Sequence, residues 1–145
     1  MASVYWLNVQ MSQVQPKPDR NHANSRPSIF VVDDEPMLLE LAVVILGDLD
    51  YELHTFRDPK TALESFYLEK PPPVLIITDY AMHDMNGMEL IIECRRIRPE
   101  QKVLLLSGTV DEHVYHNSPV KPNRFLPKPY HAKQLLDTVT AILED

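Results

Sequence analysis

An open parallel β-sheet wrapped by helices is the fold this sequence predicts, and three observations predict it. Short, wholly apolar runs recur at residues 29–32, 74–77 and 103–106, as strands buried on both faces require. Segments with a helical apolar stripe alternate with them, which is the pattern of βαβ units. Acids, a serine and a lysine stand just after the strands, at the carboxyl edge where open α/β sheets bind their ligands.

The elements follow in order. The first strand, 29–32, leads into a helix that Pro36 can open at its first position, with Leu38, Leu41, Ala42 and Ile45 on one face and Gly47 near its end. Residues 51–56 read as the second strand. Asp58 and Pro59 then supply an N-cap and first residue, and this helix carries Leu63 and Phe66 inward until the prolines at 71–73 halt it. The third strand, 74–77, delivers Thr78 and Asp79 at its end. Asn86-Gly87 marks a turn, and residues 88–97 form a helix with Met88, Ile91, Ile92 and Cys94 inside. The fourth strand is 103–106, and Phe125 and Leu126 begin the fifth. Residues 132–143 carry the clearest helical stripe, Leu135, Leu136, Val139, Ile142 and Leu143. The count is five strands and about five helices. The fourth helix is the irregular one: residues 109–124 have little apolar content and are interrupted by Pro119 and Pro122, so at most two helical turns are expected there.

The chain of 145 residues with 44% hydrophobic content suits one domain with a real core and leaves no room for a second. Residues 12–28 are rich in Ser, Gln, Pro, Asn and Arg, a composition unable to offset its own ordering entropy. The expected organisation is therefore a flexible N-terminal extension, 1–28, and a domain at 29–145. Val4, Tyr5, Trp6, Leu7 and Val9 form an apolar patch without the charged region and long apolar core of a secretory signal. A loosely held tail is the simplest reading of it; docking on the domain or pairing with a second chain stays open.

A single cysteine excludes an internal disulfide framework, and no apolar run approaches the roughly 18 residues of a membrane span. Reducing cytoplasm is the expected compartment, with no membrane insertion. Net charge is −7, but Lys17, Arg20 and Arg26 against Asp19 make the extension positive, leaving −9 for residues 29–145. Such a field repels nucleic acid and favours cations or basic partner surfaces.

The strand ends carry the chemistry. Asp33, Asp34 and Glu35 follow the first strand, Asp79 the third, Ser107 and Gly108 the fourth, and Lys128 the fifth. Two carboxylates about 4 Å apart repel by roughly 4 kcal/mol at an effective dielectric near 20, so gathering them needs a compensating charge. A divalent cation supplies one, and oxygen-only ligands suit Mg²⁺, or Mn²⁺, with several waters retained. An ammonium at Lys128 and a hydroxyl at Ser107 then serve phosphoryl oxygens.

Taken together, Asp33-Asp34-Glu35-Pro36, the run from Asp79 to Gly87, Ser107-Gly108 and Phe125-Leu126-Pro127-Lys128-Pro129 make residues 29–145 resemble the response regulator receiver family of two-component systems. The resemblance implies a flavodoxin-like, doubly wound sheet in the order 2-1-3-4-5, the order of the family's chemotaxis regulators. It implies that Asp79 is the nucleophile and becomes an acyl phosphate. Asp34 would hold Mg²⁺ directly and Asp33 mostly through water, with Asp79 and the Ala81 main-chain carbonyl completing the protein ligands. Lys128 would pair with the phosphoryl group, through a bond to Pro129 that is often cis in the family. Ser107 would swing toward the phosphate and Phe125 rotate inward behind it. Moving such a switch from 1:99 to 99:1 takes about 5.5 kcal/mol of differential stabilisation.

The implied function is a stand-alone phosphoacceptor, not an enzyme, that takes its phosphoryl group from a sensor histidine kinase or a phosphotransfer histidine protein and docks on a downstream protein. Its output surface would be the fourth helix, fifth strand and fifth helix. His83 departs from the family, which usually has proline there; the expected effect is a looser loop that touches no ligand. Ala81 and Thr109 would flank the path of attacking water. Three rival functions make different demands on the sequence. An aspartyl phosphatase would place an Asp-x-Asp nucleophile after the first strand and add a cap domain. A flavin or nucleotide carrier would need a Gly- or Ser/Thr-rich phosphate loop where Asp33-Asp34-Glu35 stand. A receiver-like module acting by protein contacts alone, without phosphorylation, is the remaining alternative.

Overall fold

The computed structural model describes residues 26–108 and 113–145, with side chains on the far side of that interval from Tyr115 onward. The apolar patch of residues 4–9 and Thr109 lie outside the described residues. Five parallel strands form one sheet in the order β2-β1-β3-β4-β5. They are β1 (Ser28–Val32), β2 (Glu52–Phe56), β3 (Leu75–Asp79), β4 (Val103–Ser107) and β5 (Arg124–Pro127). Among the described residues the helices are α1 (Pro36–Leu46), α2 (Pro59–Leu68), α3 (Gly87–Ile97), α4 (His113–His116) and α5 (Ala132–Glu144).

The three strands at the middle of the sheet are buried at every position, whereas the edge strands β2 and β5 are partly exposed. Side-chain alternation along the strands divides the core in two. Ile29, Val31, Leu75, Ile77, Leu104 and Leu106 face α1 and α5, meeting Leu39, Ala42, Leu46, Leu135, Val139 and Ile142. Phe30, Val32, Ile76, Val103 and Leu105 face α2 and α3, meeting Ala62, Phe66, Met88, Leu90, Ile91 and Cys94. Each fully buried aliphatic side chain contributes roughly 1.5–3 kcal/mol relative to exposure, so both layers are needed. Burial also pushes the Cys94 thiol up to about 12, with Glu93 adding to the shift, so this cysteine is an inert core residue.

Helix boundaries follow the expected caps in most cases. Asp58 accepts a hydrogen bond from the Lys60 amide at 3.1 Å, with Pro59 in the first position of α2. Three details differ from expectation. In α3 the buried apolar residues are Met88, Leu90, Ile91 and Cys94, while Ile92 is only half-buried, because the helical face turns one position from it. The buried face of α1 is Leu39, Ala42 and Leu46, while Leu41 is 45% exposed. Glu40 is the only polar residue in that helix, so the apolar stripe had no polar face to set its phase. Asn86-Gly87, expected as a turn, is the N-cap and first residue of α3. The Asn86 side chain accepts from the Glu89 amide at 2.9 Å, and the Glu89 side chain returns the bond in a capping box. Among the described residues, the irregular fourth connection contains the four-residue α4, and residues 109–112 of it lie outside them.

At the sheet edge opposite the strand ends, Arg95 in the last turn of α3 is tied to the strand starts. Its guanidinium donates to the carbonyls of Gln101, at 3.1 Å, and Lys121, and to Asn123 Oδ1 at 3.0 Å. Asn123 Oδ1 also accepts from the Val103 amide. This tie holds β5 in register beside β4, which places Lys128.

Candidate functional site

The site is assembled by the ends of four strands. β1 stops at Val32, and the chain bends because Asp33 Oδ1 accepts from the Glu35 amide at 3.0 Å before Pro36 opens α1. That bend keeps Asp33 and Asp34 at the sheet edge. Asp79 is the last residue of β3, the central strand, and the Tyr80 amide after it donates to the Leu106 carbonyl at 2.8 Å. On the far side, the Lys128 amide donates to the Ser107 carbonyl at 2.7 Å, which points the chain back over the edge just past β5. The Lys128–Pro129 bond is cis.

These backbone constraints bring the charges together. Lys128 Nζ lies 3.1 Å from Asp33 Oδ2 and 3.2 Å from Asp79 Oδ1. One carboxylate oxygen from each of Asp33, Asp34 and Asp79 falls within 4.8 Å of the others. The Asp33 and Asp79 side chains are only 5% and 9% exposed, so water screens them little. Burial raises the Asp79 carboxyl above the ordinary carboxylate range and Asp33 adds to the shift, while Lys128 and the Tyr80 amide oppose it. For Lys128, burial alone would favour loss of the proton, but Asp33 and Asp79 outweigh it and the ammonium is held above its usual range. The lysine is thus a permanent cation shared by two acids.

Three carboxylates and one ammonium leave a surplus of negative charge, and every acidic donor is oxygen. That set fits a hard divalent cation such as Mg²⁺ or Mn²⁺, with Asp33, Asp34 and Asp79 as the residues that would hold it. Ala81 is exposed in the loop two residues past Asp79. Ser107 ends β4, fully buried. Phe125 is half-buried in β5, its ring 5.8 Å from that of Tyr115 on α4 at an interplanar angle of 47°. The residues singled out from the sequence therefore converge on one edge, with Phe125 one layer behind it.

Three further residues bear on the site. Gly87 was read only as a turn residue, yet a Cβ there would lie 2.3 Å from the Asp79 carbonyl oxygen, and its amide donates to the Tyr80 carbonyl at 2.8 Å. Tyr130 is half-buried; burial raises its phenol above the usual range, with Lys128 opposing and Asp33 and Asp79 adding, so its ring senses the same cluster. Nothing in the sequence separated it from an ordinary core aromatic. His83, expected to touch no ligand, has Nε2 only 3.9 Å from Asp34 Oδ2.

The chain is similar to sensor kinases and response regulators. The sensor kinase CckA of Brucella abortus is 30% identical over 118 residues, which are 81% of this chain and 12% of that protein. The response regulator receiver protein CpdR of the same organism is 25% identical over 116 residues, 79% of this chain and 95% of CpdR. The chain thus spans a small part of some relatives and nearly all of another. Among solved structures, the response regulator protein TrrA of Thermotoga maritima, crystallised in complex with Mg²⁺ and BeF, superposes with a TM-score of 0.68 at 27% identity, covering 80% of this chain and 98% of that one. No helix among the described residues is long and apolar enough to cross a membrane. Residues 29–140 match the response regulator receiver domain, and this chain belongs to that family.

Proposed function

We propose that this chain is a stand-alone, Mg²⁺-dependent phosphoacceptor of a two-component relay, with Asp79 as the residue phosphorylated. The observation that carries the reading is the shared ion pair of Lys128 with Asp79 and Asp33, set beside Asp34 at the end of the central strand. Asp79 has one oxygen on Lys128 and sits at the end of the buried central strand, which fixes its position as an in-line nucleophile requires.

In this reading an Asp79 carboxylate oxygen attacks the phosphorus of a phosphohistidine on a sensor kinase or phosphotransfer protein. The P–N bond breaks, the imidazole nitrogen leaves with its electron pair and takes up a proton, and an acyl phosphate forms on Asp79. A bound Mg²⁺, held by Asp33, Asp34, Asp79 and the Ala81 carbonyl, would supply charge neutralisation for the phosphoryl oxygens. Lys128 transfers its ion pair from the Asp79 carboxylate to the phosphoryl group, and the Ser107 hydroxyl turns to donate to another oxygen. Phe125, packed on Tyr115, follows Ser107 inward and changes the surface of α4, β5 and α5. Output passes by docking on a partner protein in the cytoplasm, because the domain's own charge disfavours nucleic acid.

The test is thermal unfolding with Mg²⁺ and beryllofluoride, a phosphoryl mimic. At about one hundred times the dissociation constant, a ligand that binds only the folded state adds about 2.7 kcal/mol. The native chain is expected to gain stability from Mg²⁺ and beryllofluoride together beyond what Mg²⁺ alone gives, and Asp79→Ala to show no such additional gain. Equal stabilisation of both proteins would overturn the assignment of Asp79.

A further inference from the structure

Helix α1 is apolar on both faces, yet among the described residues only one of them is covered. The helix holds a single polar residue, Glu40. Leu39, Ala42 and Leu46 face the sheet, and Met37, Leu41 and Val44, spaced four and three apart, lie on the opposite side. Met37 is 80% exposed and Val44 76%. A helix that is hydrophobic all round belongs in a buried setting, and an apolar face left in water marks an interaction surface. Because α1 begins directly after Asp33, Asp34 and Glu35, this surface borders the acidic edge.

Two observations point to the occupant. The first is where the chain enters the domain. Arg26 Nη1 lies 3.9 Å from Asp50 Oδ1, just past the C-terminal end of α1, and the Pro27 carbonyl accepts from the Glu52 amide at 2.9 Å. The exposed Arg26–Asp50 pair is itself weak, but it sets the start of the upstream chain beside α1. Residues 10–25 can reach about 50 Å when extended, and the 11-residue helix is only about 16 Å long, so Val4, Tyr5, Trp6, Leu7 and Val9 are within reach of the whole face. The second observation is charge. Residues 1–28 carry +2 and residues 29–145 carry −9, with Glu40, Asp48 and Asp50 exposed along α1 and the turn after it. Attraction therefore favours the chain's own extension, whereas a second copy would bring two strongly acidic domains together.

We propose that the apolar segment 4–9 folds back on the outer face of α1 and covers Met37, Leu41 and Val44. Tethering gives the segment an effective concentration on the millimolar scale, so a contact that a free peptide makes with a dissociation constant of only about 0.1 mM is about 90% formed within the chain. The simpler alternative is a tail that never touches the domain, which would leave Trp6 in water.

Trp6 is the single tryptophan of the chain, so its fluorescence reports on the segment alone. The experiment measures acrylamide quenching of Trp6 in the full native chain, in a free peptide of residues 1–25, and in two double variants of the full chain. One carries Met37→Lys with Val44→Lys on α1. The other carries Tyr67→Lys with Leu68→Lys, which alters the exposed apolar pair on α2 in the opposite layer. All four side chains are exposed, so the core stays intact, and circular dichroism checks the fold of each variant. The native chain is expected to be quenched about tenfold less efficiently than the peptide, in line with the docked fraction. The α1 variant should match the peptide and the α2 variant the native chain. Native quenching equal to that of the peptide would overturn the proposal, and so would protection that survives in the α1 variant or is lost in the α2 variant. Protection that fades as the chain is diluted would assign the contact to a second copy and overturn the intramolecular cover.

Discussion

Lys128→Met will destabilise the fold by about 3–5 kcal/mol at neutral pH in the presence of a chelator, the scale of breaking a buried ion pair from one side. The loss comes from what is left behind. Asp33 and Asp79 would face each other with side chains 5% and 9% exposed and no ammonium between them. Methionine fills much of the volume, so packing contributes little to the deficit. The pH dependence has a defined sign. Asp79 is already held above its ordinary range by burial, and losing Lys128 removes the main group opposing that shift. The uncompensated charge exists only above that raised value, so the deficit is full at pH well above it and shrinks as pH falls and Asp79 takes a proton. Urea unfolding at several pH values measures this, and Mg²⁺ should restore part of the stability. A loss below about 1 kcal/mol, constant with pH, would mean that the cluster is solvated and that Lys128 is a surface charge.

Gly87→Ala is expected to cost about 3 kcal/mol, the upper end for inserting a methyl group into a packed site. Helix propensity argues the other way, since alanine is about 1 kcal/mol better than glycine within a helix and Gly87 has no positive φ to protect. Space decides. The new Cβ would lie 2.3 Å from the Asp79 carbonyl oxygen and 2.9 Å from Leu105 Cδ1, and the first of these is backbone that cannot step aside alone. Relief requires α3 to move away from β3, which drags the carbonyl of the proposed phosphoacceptor. Chemical denaturation should therefore report lower stability together with slower phosphorylation by a small donor. A variant more stable than the native chain would show that helix propensity outweighs this contact.

The parts of this molecule legible in the sequence are those where one physical pressure acts alone. The strands at 29–32, 74–77 and 103–106 are buried on both faces, so nothing polar is tolerated in them and they stand out as apolar runs. α5 has one buried and one exposed face, and its stripe gives Leu135, Val139 and Ile142 correctly. The phase of α1 was not legible, because a helix with one polar residue offers no contrast between faces. The strand-end rule brought Asp33, Asp34, Asp79, Ser107 and Lys128 to one edge before any geometry was known. What it missed depends on distances that sequence spacing does not encode. Gly87 matters through a close approach to Asp79, Tyr130 through the field of a cluster assembled from three strands, and Arg95 through carbonyls up to 26 residues away. The contact of His83 with Asp34 joins residues 49 apart through the sheet, and no local pattern announces it.

The central claim is that Asp79 is the phosphoacceptor, and intact mass after incubation with a small-molecule phosphodonor tests it most directly. The native chain should gain one phosphoryl group, only when Mg²⁺ is present, and Asp79→Asn should gain none. A native chain that is folded and binds Mg²⁺ yet acquires no adduct, or an adduct that persists in Asp79→Asn, would contradict the account.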